Sequence, residues 1–182
     1  MDKATSAGTK PWLAVGQEVT DLLERIDPSA FSKVVDAFRD TRRRWFFSGQ
    51  GRSGLAAQMA AMRFMHLGRN VHFVGEVTAP SIRSGDGLLI ISGSGETPVS
   101  LSYAKIAKSE GAVVVTLTHK PNGALAKIAD VVLPIPVNET KQFGGSLFEQ
   151  SSLLALDAAV LEIAGTLEDP HQTMAYRHTN LQ

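Results

Sequence analysis

Cysteine is missing from all 182 residues. Its absence excludes a disulfide scaffold, a thiolate metal site and a cysteine nucleophile, and it fits a reducing compartment. An excess of charge of either sign is missing too: 18 Lys and Arg balance 18 Asp and Glu, for a formal net charge of zero. A duplex-binding domain carries a basic footprint, so nucleic acid is not an expected partner. Near-zero charge does permit self-association. No apolar run approaches the ~20 residues of a membrane span. The opening MDKATSAGTKPW has no signal-peptide apolar region, so no membrane partner is expected and the cytoplasm is the expected location. Repeats and low-complexity tracts are also lacking. What is present is globular composition, 43% hydrophobic and 20% charged. At roughly 150 residues per domain, a single domain over residues 1–182 is expected.

The first ten residues are small and polar and read as a frayed end. From Trp12 to Ile26 the apolar residues Leu13, Val15, Val19, Leu22, Leu23 and Ile26 recur at helical spacing. A second helix follows the Asp27-Pro28-Ser29 start signal and runs to about Arg39. Residues 12–40 are thus N-terminal packing helices, with apolar residues on more than one face, including Phe31 and Phe38. One small sheet cannot cover them all, so a homo-oligomer is expected. Over 44–164 the texture changes to alternating short β-rich and helical runs. The strands fall at 44–48, 71–74, 87–92, 112–118 and 131–134. Helices fall at 53–67, 98–109 and 146–163, with a short turn at 122–129. Five strands joined by helices predict a parallel sheet covered on both faces, an α/β three-layer sandwich. The runs Leu88–Ile91 and Val113–Val115 suit strands buried on both sides. The tail, 165–182, carries His171, Arg177 and His178 and reads as a solvated extension.

Ligands of such a sheet bind beyond the carboxyl ends of its strands. The first strand runs into Gly49-Gln50-Gly51-Arg52-Ser53-Gly54, which matches the G-x-G-x-x-G of dinucleotide sites, with Glu76 in place for a ribose. Alone, that match is weak. The third strand runs into Ser92-Gly93-Ser94-Gly95-Glu96-Thr97, with Pro98 at a first helical turn. Hydroxyls at 92, 94 and 97 interleave with glycines that admit a ligand to the backbone. The helix N-terminus adds unpaired N–H groups and partial positive charge. Without a lysine, this set suits one phosphate monoester and not a triphosphate. The plainer alternative is a Ser/Thr-rich helix cap.

Together these residues resemble the sugar isomerase (SIS) domain family. Gly51-Arg52-Ser53-Gly54 and Ser92–Thr97 carry the resemblance. Met65-His66-Leu67-Gly68, Val74-Gly75-Glu76, Leu147-Phe148-Glu149-Gln150 and Arg177-His178-Thr179-Asn180-Leu181 are similar to its 6-phospho-3-hexuloisomerase branch. The resemblance spans about residues 12–182 and implies a flavodoxin- or Rossmann-like sheet. It implies interconversion of D-arabino-hex-3-ulose 6-phosphate and D-fructose 6-phosphate through a cis-enediol(ate), as in formaldehyde fixation by the ribulose monophosphate route. No metal or other cofactor is called for. Gly51, Arg52, Ser53, Ser92, Gly93, Ser94, Gly95, Glu96 and Thr97 would bind the sugar phosphate. Glu149 takes the place of the family's catalytic carboxylate, although Ser146-x-x-Glu149 is also a capping-box pattern. His66 and His178 compete for the acid/base role. At ~1.5 Å per residue, His66 lies roughly 20 Å from the start of its own helix. It is therefore either a packed structural residue, favoured by the helix dipole when charged, or a contributor to a neighbouring subunit's site. His72 and His119 read as surface or strand-end residues. The resemblance implies a tetramer with sites at subunit interfaces. A pentose or heptulose phosphate isomerase and a non-catalytic sugar-phosphate sensor are the alternatives.

Overall fold

The computed structural model describes residues 10–181. The expected frayed end lies outside them, apart from Lys10, which precedes the first helix. In chain order the elements are α1 (Pro11–Leu23), α2 (Pro28–Arg39), β1 (Trp45–Gly49), α3 (Arg52–His66), β2 (Val71–Phe73) and β3 (Gly87–Ile91). They continue as α4 (Pro98–Ser109), β4 (Val113–Thr118), α5 (Ala124–Ile128), β5 (Val131–Pro134), α6 (Ser146–Ala164) and α7 (Pro170–Arg177).

The five strands form one parallel sheet in the order β2-β1-β3-β4-β5. Neighbouring residues on a strand face opposite sides, and both sides here are apolar. Phe47, Leu89, Ile91, Val115 and Leu117 join one core, under α1, α2, α3 and α6. Phe46, Leu88, Ile90 and Val114 join the other, under α4 and α5. This is the expected three-layer α/β sandwich. In the larger core Phe38 stacks on Trp45 and Phe64, with ring centroids 4.0 and 4.1 Å away. Gly87 makes room for this stack, because a Cβ there would come within 2.5 Å of the Trp45 ring.

The amino ends of β1 and β3 are joined by an ion pair. Arg44 donates to Asp86 Oδ1 at 3.2 Å from Nε and to Oδ2 at 2.6 Å from Nη2. The backbone N–H of Arg83 donates to the same carboxylate at 2.8 Å. Strand order reverses between β1 and β3, and a crevice for ligands opens at the carboxyl ends flanking that switch.

Part of the tail departs from the solvated extension expected for it. Asp169 accepts from Gln172 N–H at 2.8 Å and Pro170 starts α7, which packs against α3. Leu167 and Met174 rest on the larger core. Asp27 and Pro28 start α2 in the same way, with Asp27 accepting from Ser29 N–H at 2.8 Å. The polar tail hides this helix because its apolar contact rests on so few residues. Among the described residues no helix is long and apolar enough to cross a membrane.

Candidate active site

Two glycine-rich turns border the switch crevice, and they do different work. After β1, Gly51 takes a φ of 58° as α3 begins. A Cβ on Gly49 would lie 2.6 Å from the Ser53 backbone, and one on Gly54 would lie 2.7 Å from the Gly49 carbonyl. These glycines let the strand and helix cross at backbone contact. The dinucleotide-like spacing thus has a packing cause. Glu76, the ribose ligand that the weak dinucleotide match would call for, accepts from Phe73 N–H at 3.4 Å.

After β3 the hydroxyls converge. Thr97 Oγ1 lies 3.3 Å from Ser92 Oγ and 3.4 Å from Ser94 Oγ. Ser94 Oγ also accepts from Glu96 N–H at 3.2 Å. Thr97 is the N-cap of α4, yet its hydroxyl caps no amide of that helix. The three hydroxyls therefore form a cluster of their own in front of α4, whose N-terminal amides carry partial positive charge. The turn is braced by β4: the Gly93 carbonyl accepts from Thr118 Oγ1 at 3.1 Å and from His119 N–H at 3.3 Å. Gly95 has a φ of 64°, and a Cβ there would sit 3.1 Å from Thr118 Oγ1.

The first turn of α6 lies between these turns. Its N-cap is Gly145, and Ser146, the first helical residue, donates its hydroxyl to the Phe143 carbonyl at 2.8 Å. The capping box expected of Ser146 and Glu149 is therefore not formed. The Glu149 carboxylate instead accepts a hydrogen bond from Arg52 Nε at the head of α3. The Glu149 side chain is 15% exposed and that of Arg52 is 63% exposed. Both border a cavity of about 210 Å³ whose walls include Leu55, Met59 and Leu153. One residue earlier, Phe148 packs beneath the β3 turn, with its Cδ1 3.3 Å from where a Gly93 Cβ would stand.

The loop leading into α6 is strapped to α1. Glu18 accepts from Thr140 Oγ1 at 2.6 Å, Lys141 N–H at 2.9 Å and Gln142 Nε2 at 3.2 Å. The Thr140 and Lys141 hydrogen bonds hold its carboxyl below the ordinary value.

His66 and His178 are brought together, with ring centroids 5.4 Å apart and planes 18° from parallel. His66 is buried at the C-terminal end of α3 and His178 is exposed just after α7. Burial, then Arg63 and then His178 lower the His66 pKa. That favours neutral imidazole over the charged form that the helix dipole would hold. The span of α3 leaves this pair roughly 20 Å from Arg52 at the other end. His72 stacks on Phe46 at 5.4 Å.

Past the carboxyl end of β4 stand His119, a strand-end residue as expected, and Lys120, which sequence reasoning passed over. His119, directly after β4, lies edge-on to Phe148 at 6.4 Å, and burial followed by Lys120 lowers its pKa. Lys120 shares a cavity of about 340 Å³ with Ser94, Glu96 and Asn122. Their position just past a strand's carboxyl end was the available signal.

A family model described as the SIS domain matches residues 38–162. The chain is 36% identical over 176 residues to a protein of Mycobacterium gastri named 3-hexulose-6-phosphate isomerase, covering 92% of this chain and 88% of that one. It is 40% identical over 146 residues to a protein of the same name from Bacillus subtilis, covering 75% and 79%. A Methanococcus jannaschii crystal structure, from which 3-hexulose-6-phosphate isomerase function was inferred, superposes with a TM-score of 0.82 at 31% identity. That superposition covers 94% of this chain and 98% of the other.

Proposed function

The chain belongs to the SIS domain family, and on that premise we propose that it is the isomerase interconverting D-arabino-hex-3-ulose 6-phosphate and D-fructose 6-phosphate. The observation that carries this reading is the cluster of Ser92, Ser94 and Thr97 hydroxyls at the head of α4, across the switch crevice from the Glu149 carboxylate. A phosphate monoester needs hydroxyl and amide donors. Moving a carbonyl one carbon along a sugar needs a carboxylate base beside two adjacent carbons.

In this mechanism the turns at Ser92–Thr97 and Gly51–Ser53 hold the phosphate end of an open-chain ketose. Glu149 takes the proton from C2 of the 3-ketose while the C3 oxygen gains one, giving a cis-enediol. The C2 hydroxyl then loses its proton, and Glu149 returns the carbon-borne proton to C3, leaving the C2 ketone of fructose 6-phosphate. No net oxidation occurs. The 3-ketose cannot close a five-membered ring, because O6 carries the phosphate, so the forward direction needs no ring-opening group.

The proton transfer at the oxygens falls to His66 or His178 of a neighbouring copy, since α3 separates both from the crevice of their own chain. Exposed apolar residues support such a neighbour. Leu55, Met59 and Met62 form a stripe down α3 and are 61%, 53% and 52% exposed. Two of the three also line the cavity beside Glu149. The proposed assembly is a homotetramer with sites at subunit interfaces. The proposed unit is one SIS domain over 1–182, acting in the cytoplasm in formaldehyde assimilation by the ribulose monophosphate route.

The test is formation of fructose 6-phosphate by the purified chain, assayed in parallel with pentose and heptulose phosphates. A preference for the 3-hexulose phosphate is the expected result. Turnover of the other sugars alone would move the chain to another isomerase of the family, and binding without turnover would make it a sensor.

A further inference from the structure

We propose that the cavity between the β3–α4 turn and the β4–α5 loop is the charged wall of the phosphate subsite, and that Lys120 supplies its counter-charge. This rests on the phosphate-binding part of the reading above. The sequence motif contains no cation, and charge balance shows why one is needed. A phosphate monoester carries about −1.5 to −2 at neutral pH. The head of α4 offers the equivalent of roughly half a positive charge, and the hydroxyls of Ser92, Ser94 and Thr97 offer none. Arg52, the cation on the other turn, already pairs with Glu149.

Lys120 fills the gap. It borders the same cavity of about 340 Å³ as Ser94, the most exposed of the three hydroxyl residues. No carboxylate lies within ion-pair distance of its ammonium among the described residues. Glu96 also lines the cavity, its Oε1 accepting from Ala124 N–H at 2.8 Å, and its negative charge adds to the need for a cation there. The lysine is held where it is needed. Its own N–H donates to Thr118 Oγ1 at 3.1 Å, and that hydroxyl donates to the Gly93 carbonyl of the phosphate turn. The two loops are tied by the Gly95 carbonyl, which accepts from Leu125 N–H at 3.0 Å. A strongly hydrated ammonium on a flexible stem attracts a phosphate as a point charge, without the planar fork of an arginine.

The experiment is calorimetric titration of the full chain with inorganic phosphate and with fructose 6-phosphate, using unphosphorylated fructose as control. Lys120→Gln is expected to weaken both phosphate ligands at least tenfold and to flatten their dependence on salt. Lys120→Arg should keep affinity within about threefold of wild type. Phosphate affinity of Lys120→Gln within twofold of wild type overturns the proposal. So does Lys120→Arg binding as weakly as Lys120→Gln, since charge would then not be the cause. The readout needs no turnover, so a chain that binds phosphate through Lys120 but fails to isomerise breaks the isomerase reading alone. A chain that isomerises with phosphate affinity indifferent to residue 120 breaks only this one.

Discussion

The strands β1 and β3 are flanked at each end by one arginine–carboxylate pair, and the two pairs are built differently. At the amino ends, Arg44 grips Asp86 through both carboxylate oxygens, and a backbone N–H completes the set. The Arg44 and Asp86 side chains are 26% and 11% exposed. At the carboxyl ends, Glu149 has one side-chain partner, an arginine that is mostly in water. A buried carboxylate with its lone pairs occupied is structural, because any change leaves charges unsatisfied. A sheltered carboxylate held by one exposed arginine has a partner that a substrate could displace. The same pairing chemistry thus closes one edge of the sheet, and at the other it leaves a carboxylate placed for the base role proposed above.

The comparison breaks if the two edges respond alike. Asp86→Ala should have the largest effect, a loss of about 3 kcal/mol in unfolding free energy by denaturant titration, with kcat per folded molecule unchanged. Glu149→Gln should fold as wild type and lower kcat by at least ~10²-fold, the scale of a positioned acid or base. The decisive measurement is exchange of the C3 hydrogen of fructose 6-phosphate with deuterated solvent, and rapid exchange by this variant would remove the base from Glu149. Thr97→Ala should chiefly raise KM by about tenfold, the worth of one hydrogen bond to a charged group. An unchanged KM would take the phosphate away from the β3 turn. Arg52→Gln should shift stability by less than ~1 kcal/mol, as expected of a pair with an exposed member.

The smallest effect concerns the far end of α3. The folded His66 pKa lies below its ordinary value because the ring is buried. An unfolded chain titrates near 6.5, so below that pH the unfolded state binds more protons than the native one. Stability should therefore be at its plateau above about pH 6.5 and decline on acidification below it. In His66→Gln that acid slope should be shallower.

Local pattern made most of the sheet legible in the sequence. The central strands β1, β3 and β4 are buried between two helical layers, so they had to be largely apolar, and the expected strands match the observed ones to within a residue or so at each end. The Asp-Pro signal served for α2, yet the same signal at Asp169-Pro170 was outweighed by the polarity around it. The hydroxyl cluster after β3 was legible because its serines, threonine and glycines are contiguous. What lay between distant segments was not. No spacing announces that His66 and His178 stack, or that the loop after β4 sets Lys120 beside Ser94. Ser146 and Glu149 fitted a capping box in sequence, but Gly145 takes the cap in the fold, which frees Glu149 to face Arg52.

The Glu18 strap bears on the order in which the enzyme matures. Its partners at Thr140, Lys141 and Gln142 stand 122 to 124 positions further along the chain. Long-range closures of this kind are slow, because the entropy of the intervening chain must be overcome before any contact is gained. The sheet, assembled from strands that follow one another closely, can form before α1 reaches the loop that introduces α6. During refolding, far-ultraviolet circular dichroism should then recover ahead of isomerase activity, and Glu18→Gln should lengthen the delay. An inactive, secondary-structure-rich species would be the momentary product, with the first turn of α6 still waiting for its seat.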